Sequence, residues 1–208
     1  IIVAGIFGLN LFNNTVPPAY AMEKTVEALR VVQNLRMAMS MRNQSIELLI
    51  LINQQTGFAD HIRMDALDSG DITITIPGQT YMYKKDKNEI TILPQELLKN
   101  DLNFKDVINS LIDQTGAEGG QVKITKAFDE SEQKEMITAT IIRQNESVAG
   151  EFLIDPDTNL PLYIGIETAG QINYMGPIIY DVEIPEDTFE FVVPNGAKIS
   201  DNRPEKMK

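Results

Sequence analysis

Leu35-Arg36-Met37-Ala38-Met39-Ser40-Met41-Arg42 alternates large apolar side chains with small or charged ones, and Ile46-Glu47-Leu48-Leu49-Ile50-Leu51-Ile52 follows after a three-residue break. The first stretch has period 2, which puts Leu35, Met37, Met39 and Met41 on one face of a strand. The second is almost continuously apolar, with β-branched Ile at three positions. It reads as a central strand covered on both faces.

Upstream of this point the period is 3.6. Met22, Val26, Leu29 and Val32 recur on one helical face, with Glu23, Lys24, Glu27, Arg30 and Gln33 on the other. The spacing predicts an amphipathic helix over residues 21–36. Burial of each apolar side chain is worth about 1.5–3 kcal/mol, so this helix should dock on a sheet.

Downstream, short strands are expected at residues 61–67, 72–76, 80–84 and 89–93. Gly57, Ser69-Gly70, Pro77-Gly78 and Asp86-Lys87-Asn88 punctuate them. A second helix is predicted over residues 104–115, capped by Asn103 and closed by Gly116, with Phe104, Ile108, Leu111 and Ile112 as its stripe. Strands resume at 122–127, 136–143, 148–154, 160–168 and 178–184, with Asn145-Glu146-Ser147 and Asp155-Pro156-Asp157-Thr158-Asn159 as hairpin turns. Closely spaced strands joined by tight turns imply an antiparallel meander, so the fold class is α+β.

Composition removes much chemistry. The chain has 208 residues, no cysteine, one histidine and a net charge of −12. Disulfides, thiolate nucleophiles, cysteine–zinc sites and histidine-pair zinc motifs cannot be built from it. The acidic balance opposes phosphate neutralisation, so no nucleic-acid partner is expected. His61, with Asp60 and Arg63 nearby in sequence, has no accompanying nucleophile motif and reads as a strand histidine rather than a catalytic base. Asp155-Pro156-Asp157-Thr158-Asn159 mimics the start of a calcium loop, but Leu160 stands where glycine is required and Ile166 where glutamate is. The hairpin reading is preferred. No glycine-rich phosphate loop occurs. Asp181, Glu183, Glu186, Asp187 and Glu190 interleave with Val182, Ile184 and Phe189 and read as a half-buried strand. No catalytic residue, cofactor or metal site is expected.

The ends carry further information. Residues 1–12 (IIVAGIFGLNLF) are uncharged and nearly all apolar, and Asn13-Asn14-Thr15-Val16-Pro17-Pro18 follows. A span of the bilayer needs roughly 20 such residues, so the run suits the end of a transmembrane helix continued by an upstream segment. The alternative is a signal-peptide core, cleaved at the A-x-A pattern Ala19-Tyr20-Ala21. Both alternatives place the remainder outside the cytoplasm. The expected organisation is therefore a membrane or signal segment at 1–12, a linker at 13–20, a domain at 21–199 and a polar tail at 200–208.

A family resemblance rests on two stretches. The opening from Ala19-Tyr20-Ala21-Met22-Glu23-Lys24 resembles that of bacterial membrane-anchored proteins related to sigma-factor regulators. Phe152-Leu153-Ile154-Asp155-Pro156-Asp157-Thr158-Asn159-Leu160-Pro161-Leu162, with the closing segment from Tyr180 to Ala197, resembles theirs more strongly. In plan the domain is similar to the lipoprotein-carrier (LolA-like) fold. The resemblance implies a strongly curved antiparallel sheet, a half-barrel, with helices on its concave side. It implies an extracytoplasmic domain anchored in the inner membrane, of anti-sigma or envelope-stress type, that binds a lipid, an acyl chain, a lipoprotein or a regulatory protein.

Met37, Met39, Met41, Leu49, Leu51, Phe152, Ile154, Ile164 and Ile166 are the candidate apolar ligand-lining residues. Methionine deforms to suit variable apolar ligands, although ordinary core filling accounts for the Met stripe equally well. Two alternatives stay open: a soluble periplasmic carrier with a cleaved signal, and a structural domain with a filled core.

Overall fold

The computed structural model describes residues 18–41, 44–94, 120–129 and 133–204. One short helix, α1 (Pro18–Leu29), precedes β1 (Asn34–Met41), β2 (Gln44–Ile52), β3 (Ala59–Ala66), β4 (Asp71–Ile76), β5 (Gln79–Lys84) and β6 (Glu89–Pro94). After the interval to residue 120 come β7 (Gln121–Asp129), β8 (Lys134–Ile142), β9 (Val148–Ile154), β10 (Pro161–Thr168), β11 (Gln171–Tyr180) and β12 (Lys198–Asp201). These twelve strands of the described residues join one large, open sheet of the curved class, in the order β12-β6-β5-β4-β3-β2-β1-β11-β10-β9-β8-β7. Every pairing among them is antiparallel except β12 with β6, which is parallel.

The two halves are meanders, β1–β6 and β7–β11, joined where β1 pairs with β11. In β1, Met37 faces Ile178 and Met39 faces Met175, so β11 carries an extra residue at Gly176-Pro177 and bulges there. The β9–β10 connection is the expected hairpin. The Asp155 amide donates to the Leu160 carbonyl at 3.0 Å, and Asn159 takes positive φ.

The predicted helix ends earlier than its periodicity suggests, at Leu29 instead of residue 36. Val32 and Leu35 continue the apolar spacing and are buried in the same core, but Leu35 is there as a strand residue between Ile50 and Tyr180. Residues 181–197 also differ from expectation. They contain no strand, and β11 ends at Tyr180 instead of starting at 178. Pro185 and Pro194 cannot donate to a ladder, and Asp181 turns the chain off the sheet with φ 51°. The predicted second helix at 104–115, the apolar segment at 1–12 and residues 205–208 of the tail lie outside the described residues.

The α1 side of the sheet holds the main core. Met22 and Leu29 of α1 pack with Leu35, Met37, Leu48 and Ile50 of the first half and with Ala139, Ile141, Phe152, Ile154, Ile164 and Ile178 of the second. Edge strand β7 runs closest to the α1 backbone, and Val122 and Ile124 lean on the same core.

One buried charge stabilises the β9–β10 turn. Lys134 Nζ lies 2.8 Å from Asp155 Oδ2, and the Asp157 amide donates to Oδ1 at 3.0 Å. Burial pushes the Asp155 carboxyl up, but the Lys134 ammonium and the turn amide outweigh it and hold it below the usual carboxylate range. The contribution is therefore fully present above the unfolded carboxylate value of about 4, and is lost as pH falls through the lower folded value. In acid unfolding monitored by circular dichroism, Asp155→Asn is expected to flatten the stability loss below about pH 4 and to cost about 1.5–3 kcal/mol at pH 7, the worth of a charge-assisted hydrogen bond. An unchanged acid profile would show that the pair does not carry this dependence.

Candidate functional site

Strand register sorts the candidate lining residues onto faces. Met37 pairs with Leu48 and Ile178, all three buried on the α1 side. Phe152, Ile154 and Ile164 lie on that side too, each at most 2% exposed, and Met39 and Ile166 pack partly buried beside them. The structure thus brings six of the candidates together: Met37, Met39, Phe152, Ile154, Ile164 and Ile166. The side chain of Met41 is outside the described set.

Leu49 and Leu51 go elsewhere. Leu49 is opposite Arg36 and Arg63, and Leu51 is opposite His61, so both point to the back of the sheet, away from α1. Because β2 is apolar on both faces, its sequence carries no phase. Only the pairing of Met37 with Leu48 reveals which alternate residues face α1.

The α1 side extends past the helix. Ile62 and Met64 of β3, Met82 of β5 and Leu93 of β6 continue the same face by register and are half-buried. Thr75 and Thr80, both buried, share a hydrogen bond of 3.1 Å between their hydroxyls on this face. A 12-residue helix is about 18 Å long, whereas twelve strands at about 4.8 Å spacing span some 50 Å. Among the described residues, α1 is the one helix on this apolar expanse.

The back of the sheet has a cover of another kind. From Asp181, whose Oδ1 accepts the Gln33 amide at 2.7 Å, residues 182–197 cross β3 to β6 as a strap. Arg63 Nη1 donates to the Thr188 carbonyl at 2.8 Å, Phe189 meets His61 with ring centroids 5.2 Å apart, and Phe191 stacks on Tyr81 at 4.9 Å. Beneath lie Ile74 and Ile90, at 2% and 1% exposure. The sequence signals for this strap are the prolines and the pair Phe189 and Phe191.

Phe191→Ala is expected to cost about 2–4 kcal/mol, less than full burial of an aromatic would give because Phe191 is half-buried. The check is amide exchange: β5 and β6 should lose protection while β9 and β10 keep theirs.

Between strap and sheet a cleft of about 490 Å³ remains. Leu51, His61 and Ile76 form its floor, Ile184, Pro185 and Phe189 its far wall, and Glu186 and Glu190 also line it. His61 Nδ1 is sealed from solvent without a hydrogen-bond partner, and its nearest carboxylate oxygen, Asp60 Oδ2, is 3.6 Å away. His61 is a strand residue of β3 with a partly exposed side chain. No group of three or more potential metal ligands occurs among the described residues, and no helix among them is long and apolar enough to cross a membrane.

No family model and no curated protein matches the chain. Solved structures do. LprF from Mycobacterium bovis superposes with a TM-score of 0.54 at 9% identity, covering 86% of this chain and 97% of its own. An uncharacterized conserved protein from Thermus thermophilus gives 0.50 at 11% identity, covering 87% and 96%. At such identities the likeness concerns the fold, and it extends over nearly the whole of each neighbour.

Proposed function

We propose that this chain is a non-enzymatic, extracytoplasmic binding domain that shelters an apolar ligand, either an acyl chain or the lipid part of a lipoprotein, on the α1 side of its sheet. The observation that carries the reading is the mismatch, among the described residues, between one short helix and the apolar face continued by Ile62, Met64, Met82 and Leu93. Half-buried methionines suit chains of variable shape. The carrier-like resemblance of the sequence and the fold shared with LprF support it. In this reading the helices plug the concave side, and the apolar residues 1–12 hold the domain at the inner membrane. A protein partner of sigma-regulator type would then sense ligand occupancy.

The test is native mass spectrometry of gently purified protein, together with titration by a fluorescent sixteen-carbon fatty acid. Co-purified lipid and saturable uptake are expected. Met64→Lys is expected to weaken uptake at least about tenfold, equivalent to about 1.4 kcal/mol, with the circular dichroism spectrum retained. Absence of both lipid and uptake would overturn the reading. The near-complete burial of Met37, Phe152, Ile154 and Ile164 by protein alone favours a second one, a structural domain with a filled core, which that negative result would select.

A further inference from the structure

The cleft under the strap is on the opposite face of the sheet from the proposed apolar shelter and has a different chemistry. Its volume of about 490 Å³ is in the range of small-ligand sites. Leu51, Ile76 and Ile184 supply apolar surface for the body of a ligand. Phe189 and His61, tilted 55° to each other, supply two ring faces. The polar groups are of one sign. Glu186 and Glu190 line the cleft, both exposed, and Asp60 adjoins His61. No lysine or arginine is among the lining residues. Arg63, two residues along β3 from His61, is committed: its Nε and Nη2 contact both carboxylate oxygens of Asp65 at 2.8 and 3.1 Å, and its Nη1 donates to the Thr188 carbonyl. Among the described lining residues an anionic ligand would find no counter-charge. A cation would find two carboxylates and aromatic faces, within the field of a chain of net charge −12.

We propose that this cleft binds a small organic ammonium, with its flat apolar body between Phe189 and the Leu51–Ile76 floor and its protonated amine toward Glu186 and Glu190. The His61 ring is part of the floor of the cleft and is partly exposed, so a ligand there must touch it.

Two features of the sequence make the test direct. The chain has no tryptophan, so an indole ligand can be followed by its own emission, and it has one histidine, so a single imidazole proton signal reports on the floor. The probes are tryptamine, an aromatic ammonium, and indole-3-propionate, a carboxylate on the same ring system. Tryptamine is expected to shift the His61 signal saturably and to bind at least about fivefold more tightly than indole-3-propionate. The double change Glu186→Gln and Glu190→Gln should weaken tryptamine by roughly five- to tenfold, the loss expected of two exposed ion pairs, and narrow the difference between the probes. Both glutamates are exposed, so the variant is expected to fold. Equal binding of the two probes, a His61 signal that tryptamine leaves unmoved, or affinity unchanged in the double variant would each overturn the proposal. Fatty-acid uptake on the α1 side is read separately, and either site can fail without the other.

Discussion

Phe152→Ala is expected to lower the stability of the fold by about 3–5 kcal/mol, a large share of the roughly 5–15 kcal/mol that a domain of this kind possesses. Phe152 is at 0% exposure and is, among the described residues, the largest of the fully buried side chains. Its cross-strand neighbours are Ala139 on β8 and Ile164 on β10, so the ring occupies the space that a small neighbour leaves beside it. Both flanking strands are held by ladders on their other sides, which limits collapse into the vacated volume. In urea titration the midpoint should fall while the slope stays constant. Phe128→Ala is the control: that ring is 62% exposed on edge strand β7, and its loss should stay within about 0.5 kcal/mol. Similar losses for the two variants would mean that the core is not organised around β9.

Gly176→Ala is expected to cost about 3 kcal/mol or more, for a different reason. Gly176 is at the β11 bulge with φ 143°, a region that costs other residues about 1–3 kcal/mol. A Cβ there would also meet the Leu162 carbonyl oxygen and Tyr163 Cδ1, each at 2.6 Å. The oxygen belongs to the β10 backbone and cannot swing aside. Gly78 separates the two contributions. Its φ is 91° but a Cβ would meet nothing within 4 Å, so Gly78→Ala should show strain alone, about 1–2 kcal/mol. Thermal unfolding of the two variants reads the difference. A Gly176→Ala protein as stable as the Gly78→Ala protein would contradict the close approach of β10 and β11.

The strands most legible in the sequence are those whose two faces differ. β1 alternates cleanly, and the turns at Ser69-Gly70, Pro77-Gly78 and Asp155 to Asn159 each carry their own local chemistry, so short-range signals suffice for the meanders. Four features are not legible in this way, each because the deciding contact is distant. The helix predicted to residue 36 overlaps the strand pattern that starts at Leu35, and the pairing of Leu35 with Ile50 and Tyr180 decides for the strand. Leu49 and Leu51 group with Met37 by sequence because a doubly covered strand has no polar side to fix its phase. The strap reads as a strand because its acidic and apolar residues interleave, although Pro185 already argues against a ladder. β12 offers a single apolar residue, Ile199, and exists through its pairing with β6. For the candidate site, six of the nine residues share the α1 side, whereas the cleft at His61 is assembled by the strap and has no signature in any one segment.

The strap and β12 have a consequence for the order in which the molecule can be completed. Asn88, at the start of β6, is bonded to the Asn195 carbonyl, 107 residues later in the chain. At synthesis rates of about 5–20 residues per second, β6 waits roughly 5–20 s on the ribosome before its neighbour emerges. Throughout that interval the back of β4 to β6, with Ile74, Tyr81 and Ile90, is bare. A nascent chain that holds β4 to β6 without the strap therefore presents an apolar surface that a chaperone can bind, and the arrival of residues 182–197 is what covers it.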